Sequence, residues 1–410
     1  MPRAGQRKPP SDTRLTDHIS IGVLTRVFPP ELVDGVVAEA GRRERRQRLM
    51  PARVVVYYVL ALALFADSSY EEVMRQLVEG LAWESGWARA WEVPTKVAIY
   101  KSRERLGREP LELLFRAVAV PLASESTRGA FYRGLRLVSI DGTCLDVADT
   151  EANHREFGRP GSSRREGGGA FPQLRMVALA ESGTHAVFDA ALGGYESAER
   201  ALAEQLAGSL KPGMLCLADR GFYSFEAFQQ ARGTGAELLW RVKSDVGLPR
   251  EQTLADGSYL TSIYALENRK AKRDGQRARV VEYRLDDPAL AEEEQRYRLI
   301  TTILDPEKGP AGDLAALYPQ RWELESALDE LKTHQRGPRV VLRSKAPDGV
   351  YQEAYGHLCT HYAIRRVMHD AALTADLVPH RLSFIASLRA ARRSARTQPG
   401  FSPPQDQHRT

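Results

Sequence analysis

Cysteine is scarce in this chain: three among 410 residues, Cys144, Cys216 and Cys359, odd in number and far apart. A disulfide scaffold is excluded, and no zinc-binding spacing is present. Long apolar runs are missing too. The longest, Val54 to Ala66, is 13 residues, against the ~20 that a bilayer-crossing helix needs, so no membrane partner is expected. The opening MPRAGQRKPPSD is charged and no apolar stretch follows it, so a secretion signal is not expected and a reduced, cytoplasmic setting is. The Gly167-Gly168-Gly169 run has no G-K-[ST] continuation, which excludes a P-loop. His357 and His361 stand i,i+4 but lack an HExxH frame, a poor basis for a zinc site.

What is present is globular composition, with 43% hydrophobic and 27% charged residues, at a length that suits two or three domains. The net charge of +5 is modest, but it is unevenly placed. Gly41 to Arg48 holds five arginines against one glutamate, and Arg381 to Arg396 holds five arginines and no acid. Such clusters suit phosphate binding, and equally suit solvated helix faces. The stretch Asn153 to Ala170, with Arg155, Arg159, Arg164 and Arg165, fits a DNA-embracing loop or a plain exposed one.

Residues 14–130 read as an all-α domain after a disordered tail at 1–13. Within it, PTKVAIYKSRERLG (94–107) has a helix start at Pro94-Thr95 and a stop at Gly107. That short helix carries Lys96, Lys101, Arg103 and Arg105 and is expected to bury Val97, Ile99 or Tyr100, and Leu106. A basic helix after another helix is the pattern of a helix-turn-helix reader, with a purely structural helix as the alternative. From about Arg136 the pattern turns to β-β-β-α-β-α-β, so a mixed five-stranded sheet with flanking helices is expected over 131–245. A β-rich insertion follows at 246–304, helix returns over 305–375, and 376–410 reads as a basic tail.

Two acids terminate apolar runs, Asp141 after LVSI and Asp219 after LCLA. A carboxylate at the end of a buried strand is costly unless solvated at a cleft or bound to a cation. Side by side, two would repel, and a divalent cation removes the repulsion. The alternative is a pair of turn aspartates, since both precede glycine closely. A third acid lies on the helix predicted at 318–332. At ~100° per residue, Tyr318, Arg321, Glu325 and Lys332 share roughly 60° of arc, with Leu324, Leu328 and Leu331 beside them to pack on the sheet. Asp329 falls near that stripe, as an auxiliary ligand or a repulsive charge.

LVSIDGT, LADRGFYS and the spacing Tyr318-x2-Arg321-x3-Glu325-x6-Lys332 together resemble the DDE transposases of the bacterial insertion sequence 4 family. The resemblance runs over roughly 14–370. It implies an α/β, ribonuclease H-like core with a β-rich insertion and an N-terminal helical DNA-binding domain. It implies Asp141, Asp219 and Glu325 as the catalytic, metal-binding triad, holding two Mg²⁺ or Mn²⁺ ions about 4 Å apart. Tyr318, Arg321 and Lys332 would hold DNA near the cleavage point, and Lys96, Lys101 and Arg103 would contact it from the reader helix. Transposon ends and target, as double-stranded DNA, are the implied partners, with a homodimer to join two ends in the nucleoid. Trp240 and Trp322 are candidates to receive an unstacked base, with buried packing as the other reading. The rivals are a silent transposase-derived DNA-binding protein and a haloacid-dehalogenase-type phosphatase. LVSIDGT has Ser139 where the phosphatase motif carries its first acid.

Overall fold

The computed structural model describes residues 22–44, 50–85, 93–161, 171–285, 296–337 and 341–397, without the side chains of 78–85, 380 and 394–397. The tail expected at 1–13, part of the arginine cluster at 41–48, and Arg164 and Arg165 lie outside the described residues. Helices come first: α1 (Val23–Val27), α2 (Pro30–Glu39), α3 (Ala52–Leu64), α4 (Tyr70–Ser85), α5 (Lys96–Leu106) and α6 (Glu109–Val118). The apolar run seen in the sequence is α3, buried at every position from Val54 to Leu64; a helix apolar all round belongs in a core. α5 starts and stops where its punctuation places it. Thr95 Oγ1 accepts from Ala98 N at 3.3 Å, and Gly107 takes a φ of 68° that side chains disfavour.

The strands and later helices are β1 (Phe131–Tyr132), β2 (Leu135–Val147), α7 (Glu151–Phe157), β3 (Gln173–Glu181) and β4 (Val187–Gly194). Next come α8 (Glu199–Leu206), β5 (Met214–Ala218), α9 (Phe225–Gly233) and β6 (Glu237–Arg241). The insertion contributes β7 (Gln252–Thr253), β8 (Tyr259–Ile263), β9 (Gln276–Arg284) and β10 (Arg296–Thr301). α10 (Ala311–Leu317), α11 (Trp322–Asp329), β11 (Val341–Leu342), α12 (Pro347–Thr374) and α13 (Phe384–Thr397) complete the order.

The core order is β4-β3-β2-β5-β6. β2, β5 and β6 are parallel, and β3 runs antiparallel between β2 and β4. This is the ribonuclease H-like α/β arrangement. The insertion does not stand apart: β10 pairs antiparallel with β6, and β9, β8 and β7 continue the same sheet. Without β10 the outer edge of β6 would leave its backbone groups unpaired.

Alternation sorts β2 between two cores. Val138 and Ile140 join α8 and α9 side chains such as Leu202 and Phe228. Leu137, on the other face, packs with Leu314 and Tyr318. Asp141 shares parity with Leu137, which directs it toward α10 and α11. The N-terminal helices are continuous with this layer, because Val33, Leu60 and Leu114 belong to one core with Met176, Leu324, Leu358 and Tyr362. α12 crosses α3 so closely that a Cβ on Gly356 would stand 3.2 Å from the Val59 carbonyl oxygen.

Two expectations are corrected by this architecture. The stretch read as a basic tail at 376–410 contains α13, whose Phe384 and Leu388 are buried in the core and whose Arg392 Nε donates to the Leu64 carbonyl at 2.7 Å. An apolar stripe repeating every three to four residues binds it down. The segment read as a loop from Asn153 opens instead with α7, capped by Thr150.

Candidate active site

Asp141 does not end its strand, as the apolar run suggested. β2 continues to Val147, paired with β3 and β11. What ends is the parallel ladder: Ile140 pairs with Ala218, the last residue of β5. Asp141 and Asp219 therefore follow partner residues on neighbouring strands, at the point where β5 leaves the sheet. A crevice opens there because β2 goes on without its neighbour.

α11 closes the crevice. Arg321 Nη1 lies 3.0 Å from Asp141 Oδ2 and 3.2 Å from Glu325 Oε1. The same nitrogen serves both oxygens, so they cannot be further apart than those two lengths end to end. Asp141 Oδ1 accepts from Gly142 N at 2.8 Å. The Tyr318 hydroxyl stands 3.2 Å from the Ala218 carbonyl and 3.4 Å from Asp219 Oδ1, one proton shared between two acceptors. Asp141, Asp219, Tyr318, Arg321 and Glu325 are thus brought together from four separate elements.

The electrostatics are those of crowded carboxylates. Burial pushes the Asp141 carboxyl up; the Gly142 N–H and Arg321 oppose the rise, while Asp219 and Glu199 add to it. Burial also raises Glu325, with Arg321 opposing and Asp141 and Asp219 reinforcing. For Arg321, burial alone would lower the pKa, but Tyr318 and the surrounding acids outweigh it and hold the guanidinium charged. One guanidinium among these acids leaves a surplus of negative charge, which is the donor chemistry of a hard divalent cation. Among the described residues no three acidic or imidazole groups are gathered closely enough to hold an ion as the side chains stand. Arg321 occupies the space between two of them.

Glu199 was not singled out in the sequence. It opens α8, and a Cβ on Gly142 would meet its Oε1 at 3.0 Å. The glycine after Asp141 is what admits this fourth carboxylate, and Gly142 was its one signal.

Other candidates are displaced. The helix predicted at 318–332 is not uniform: Tyr318–Arg321 is a tight 3-10 turn, α11 is regular, and Glu330–Gln335 is a wide π turn. A constant angle per residue therefore fails at both ends. Tyr318 is buried, against its expected place on DNA. Lys332 is exposed on the π turn and shares no hydrogen bond with the acids among the described residues. Asp329 turns to its own helix, accepting from Thr333 Oγ1 at 2.6 Å.

On α5 the expected DNA contact Arg103 is corrected outright. It is 7% exposed, and its guanidinium donates to Gln352 Oε1 at 2.9 Å, Ser344 Oγ at 3.0 Å and the Gly349 carbonyl at 2.9 Å. Lys96 and Lys101 are exposed, Lys96 within 3.4 Å of Glu71. Ile99 and Leu106 are buried as expected, whereas Val97 and Tyr100 stand 62% and 51% exposed beside the lysines. Trp240 is buried edge-on to Phe228. Trp322, for which buried packing was the other reading, is instead 54% exposed, next to Glu325 on a groove of about 630 Å³. His357 is buried and its ring is pushed down to about 3, by burial and by Arg336 and Arg343; His361 bonds Glu330 at 3.1 Å. Ser139, at the phosphatase-motif position, is buried, and its hydroxyl has no hydrogen-bond partner among the described residues.

A ribonuclease H-like sheet with crowded acids at its mouth is the arrangement that a DDE domain leads one to expect. The sequence matches the family described as "Transposase DDE domain" over residues 132–362 and that described as "Insertion element 4 transposase N-terminal" over 18–116. The chain belongs to the insertion sequence 4 family of DDE transposases. It is 28% identical over 377 residues to the transposase InsG for insertion sequence element IS4 of Escherichia coli (strain K12), covering 91% of this chain and 83% of that protein. Among solved structures it is similar to the piggyBac transposase synaptic complex with hairpin DNA, at 13% identity and a TM-score of 0.49, over 94% of this chain and 82% of that one. The family's activity is DNA transposition, and its DDE domain generally works with divalent metal ions. No helix among the described residues is long and apolar enough to cross a membrane.

Proposed function

We propose that this protein binds the terminal inverted repeats of an insertion sequence, cuts the DNA strand there, and transfers the freed end to a target. The observation that carries the reading is the arginine bridge: one Arg321 nitrogen on both Asp141 and Glu325, with Asp219 held beside them by Tyr318. Asp141, Asp219 and Glu325 are the residues that would hold Mg²⁺ or Mn²⁺, two ions by family resemblance. When bound, such ions supply Lewis-acid stabilisation of the scissile phosphate and a water of lowered pKa.

The rest is done by the chain. Arg321 screens Asp141 and Glu325 from each other; were the acids to hold cations, its planar fork would be available to a phosphate oxygen. Tyr318 does not reach DNA in this reading; it fixes Asp219 and the end of β5. Lys332, exposed on the π turn, suits a phosphate as a point charge. Lys96 and Lys101 contact the backbone of the end sequence, with Val97 and Tyr100 projecting between them. Residues 14–130 are read as the DNA-binding domain, and 131–245 with 305–375 as the catalytic core interrupted by the insertion. Cleavage is hydrolysis of one phosphodiester to leave a 3′-OH; strand transfer is the same displacement with that 3′-OH as nucleophile. Two ends must meet, so a homodimer is the proposed assembly.

The test is a nicking assay on a supercoiled plasmid that carries the element's own ends, with Mg²⁺. Wild type is expected to nick at the ends. Asp141→Ala, Asp219→Ala and Glu325→Ala are expected to retain end binding and lose cleavage. Full cleavage by any one of them removes that residue from the triad, and a silent wild type that still binds ends favours the DNA-binding rival.

A further inference from the structure

The helix that carries Glu325 is tied at two other points, and both ties meet at one histidine. β3 and β4 are joined by a tight turn in which Gly183 has a φ of 79° and His185 a φ of 57°. The turn is rigid at its base: Thr184 Oγ1 donates to Glu181 Oε2 at 2.6 Å, and that same oxygen accepts from Leu122 N and Ala123 N at 2.9 and 2.8 Å. From α11, Glu323 reaches this turn and accepts from Gly183 N. Two helical turns further on, Glu330 accepts from Arg365 Nε at 2.9 Å and sits 3.1 Å from His361 Nε2.

The His185 ring lies between these two carboxylates. Its Nε2 is 3.6 Å from Glu323 Oε2, and its Nδ1 is 3.6 Å from Glu330 Oε1. Nδ1 is also 2.8 Å from Arg365 Nη2. A guanidinium only donates, so Nδ1 must accept, and the ring proton is on Nε2, facing Glu323. Glu330 is the first residue of the π turn. There the regular hydrogen-bond ladder lapses and a helix slips or rotates most readily. Glu323 and Glu330 face the turn, and Glu325, two residues from Glu323, faces away from it toward the acids.

We propose that His185 is a positioning residue: through Arg365, Glu330 and Glu323 it fixes the register of the Glu325 helix against the rigid β3–β4 turn. It touches neither DNA nor the reacting atoms. The inference rests on Glu325 being a metal-binding acid. Glu323 and Glu330 thereby turn toward the β3–β4 turn and α12, away from the acids of the crevice.

The test uses the full-length protein and two readouts: Mn²⁺ affinity by electron paramagnetic resonance without DNA, and single-turnover nicking of end-containing DNA. His185→Ala is expected to lower both by about tenfold, the usual scale for an outer partner of a metal-site group, with end-DNA affinity unchanged. His185→Asn should restore most of both, because its amide oxygen replaces Nδ1 as the acceptor for Arg365 and asparagine tolerates the left-handed backbone. Should His185→Ala not fold, His185→Gln takes its place; it keeps bulk but carries its amide beyond the Nδ1 position, and the same losses are expected. Wild-type Mn²⁺ affinity and nicking in the Ala or Gln variant would overturn the proposal, as would failure of Asn to differ from Ala. A wild type that neither binds Mn²⁺ nor nicks DNA overturns the metal-triad reading itself, and this inference with it.

Discussion

Arg103 and Lys101 are neighbours on one basic helix, and the structure gives them opposite fates. Arg103 enters the interior, where its side chain is 9% exposed and lies 3.8 Å from Glu353, itself 6% exposed. Replacing Arg103 with alanine removes three hydrogen bonds and takes one positive neighbour from the buried Glu353 carboxylate. Breaking one partner of a buried pair costs about 3–5 kcal/mol. Because Gln352 also donates to the Arg103 and Gly107 carbonyls at 2.8 Å, the loss falls on the junction of α5 with α12. Arg103→Ala should therefore lower the urea midpoint by that free energy divided by the m-value. At temperatures where it stays folded, the salt dependence of DNA binding should be unchanged. Lys101→Ala should do the reverse, leaving stability alone and reducing the salt slope by about 0.9 if it meets one phosphate. A stable Arg103→Ala with a shallower salt slope would refute the assignment of its side chain to the core.

Further outcomes are expected at the site. Tyr318→Phe removes the hydroxyl shared by Ala218 and Asp219; it should slow nicking by up to about tenfold, one hydrogen bond's worth, while leaving DNA affinity intact. Rates unchanged in that variant would show that Asp219 needs no such support. Burial alone would raise Glu330, but hydrogen bonds from His361 and Arg365 outweigh it and hold its carboxyl far below the ordinary 4.5. A depressed folded pKa stabilises the fold fully above the unfolded value, and the benefit fades as pH falls below it. Wild type should thus lose stability relative to Glu330→Gln as pH drops from about 5 to 3, as measured by denaturant titration. A constant difference across that range would contradict the depressed carboxyl.

Much of this was legible before any coordinates. LVSI and LCLA are short β-rich apolar runs, and such runs form buried parallel strands, with a half-buried acid following each where the parallel ladder stops. Thr95 and Gly107 mark α5 because capping chemistry is local. The insertion strands were readable one by one, but their union with β6 was not, since pairing partners are set by distant chain. Asp141 looked terminal because Gly142 and Thr143 break the apolar run, yet β3 pairs with β2 past that point. The burial of Arg103 depends on Ser344, Gly349 and Gln352, hundreds of residues on, and nothing in a basic helix announces it. The spacing of Tyr318, Arg321 and Glu325 brings the three side chains to one crevice. The helix drawn through them is not uniform, because a 3-10 turn and a π turn flank its regular part.

The claim on which the rest depends is that Asp141, Asp219 and Glu325 meet around shared cations. Substituting Fe²⁺ with ascorbate and peroxide tests it directly, since radicals formed at a bound iron cut the polypeptide beside it. Three cuts are expected, near residues 141, 219 and 325, all suppressed by excess Mg²⁺ and all lost in Asp219→Ala. Cuts at one of these positions alone, or cuts that survive Asp219→Ala, would contradict a common site.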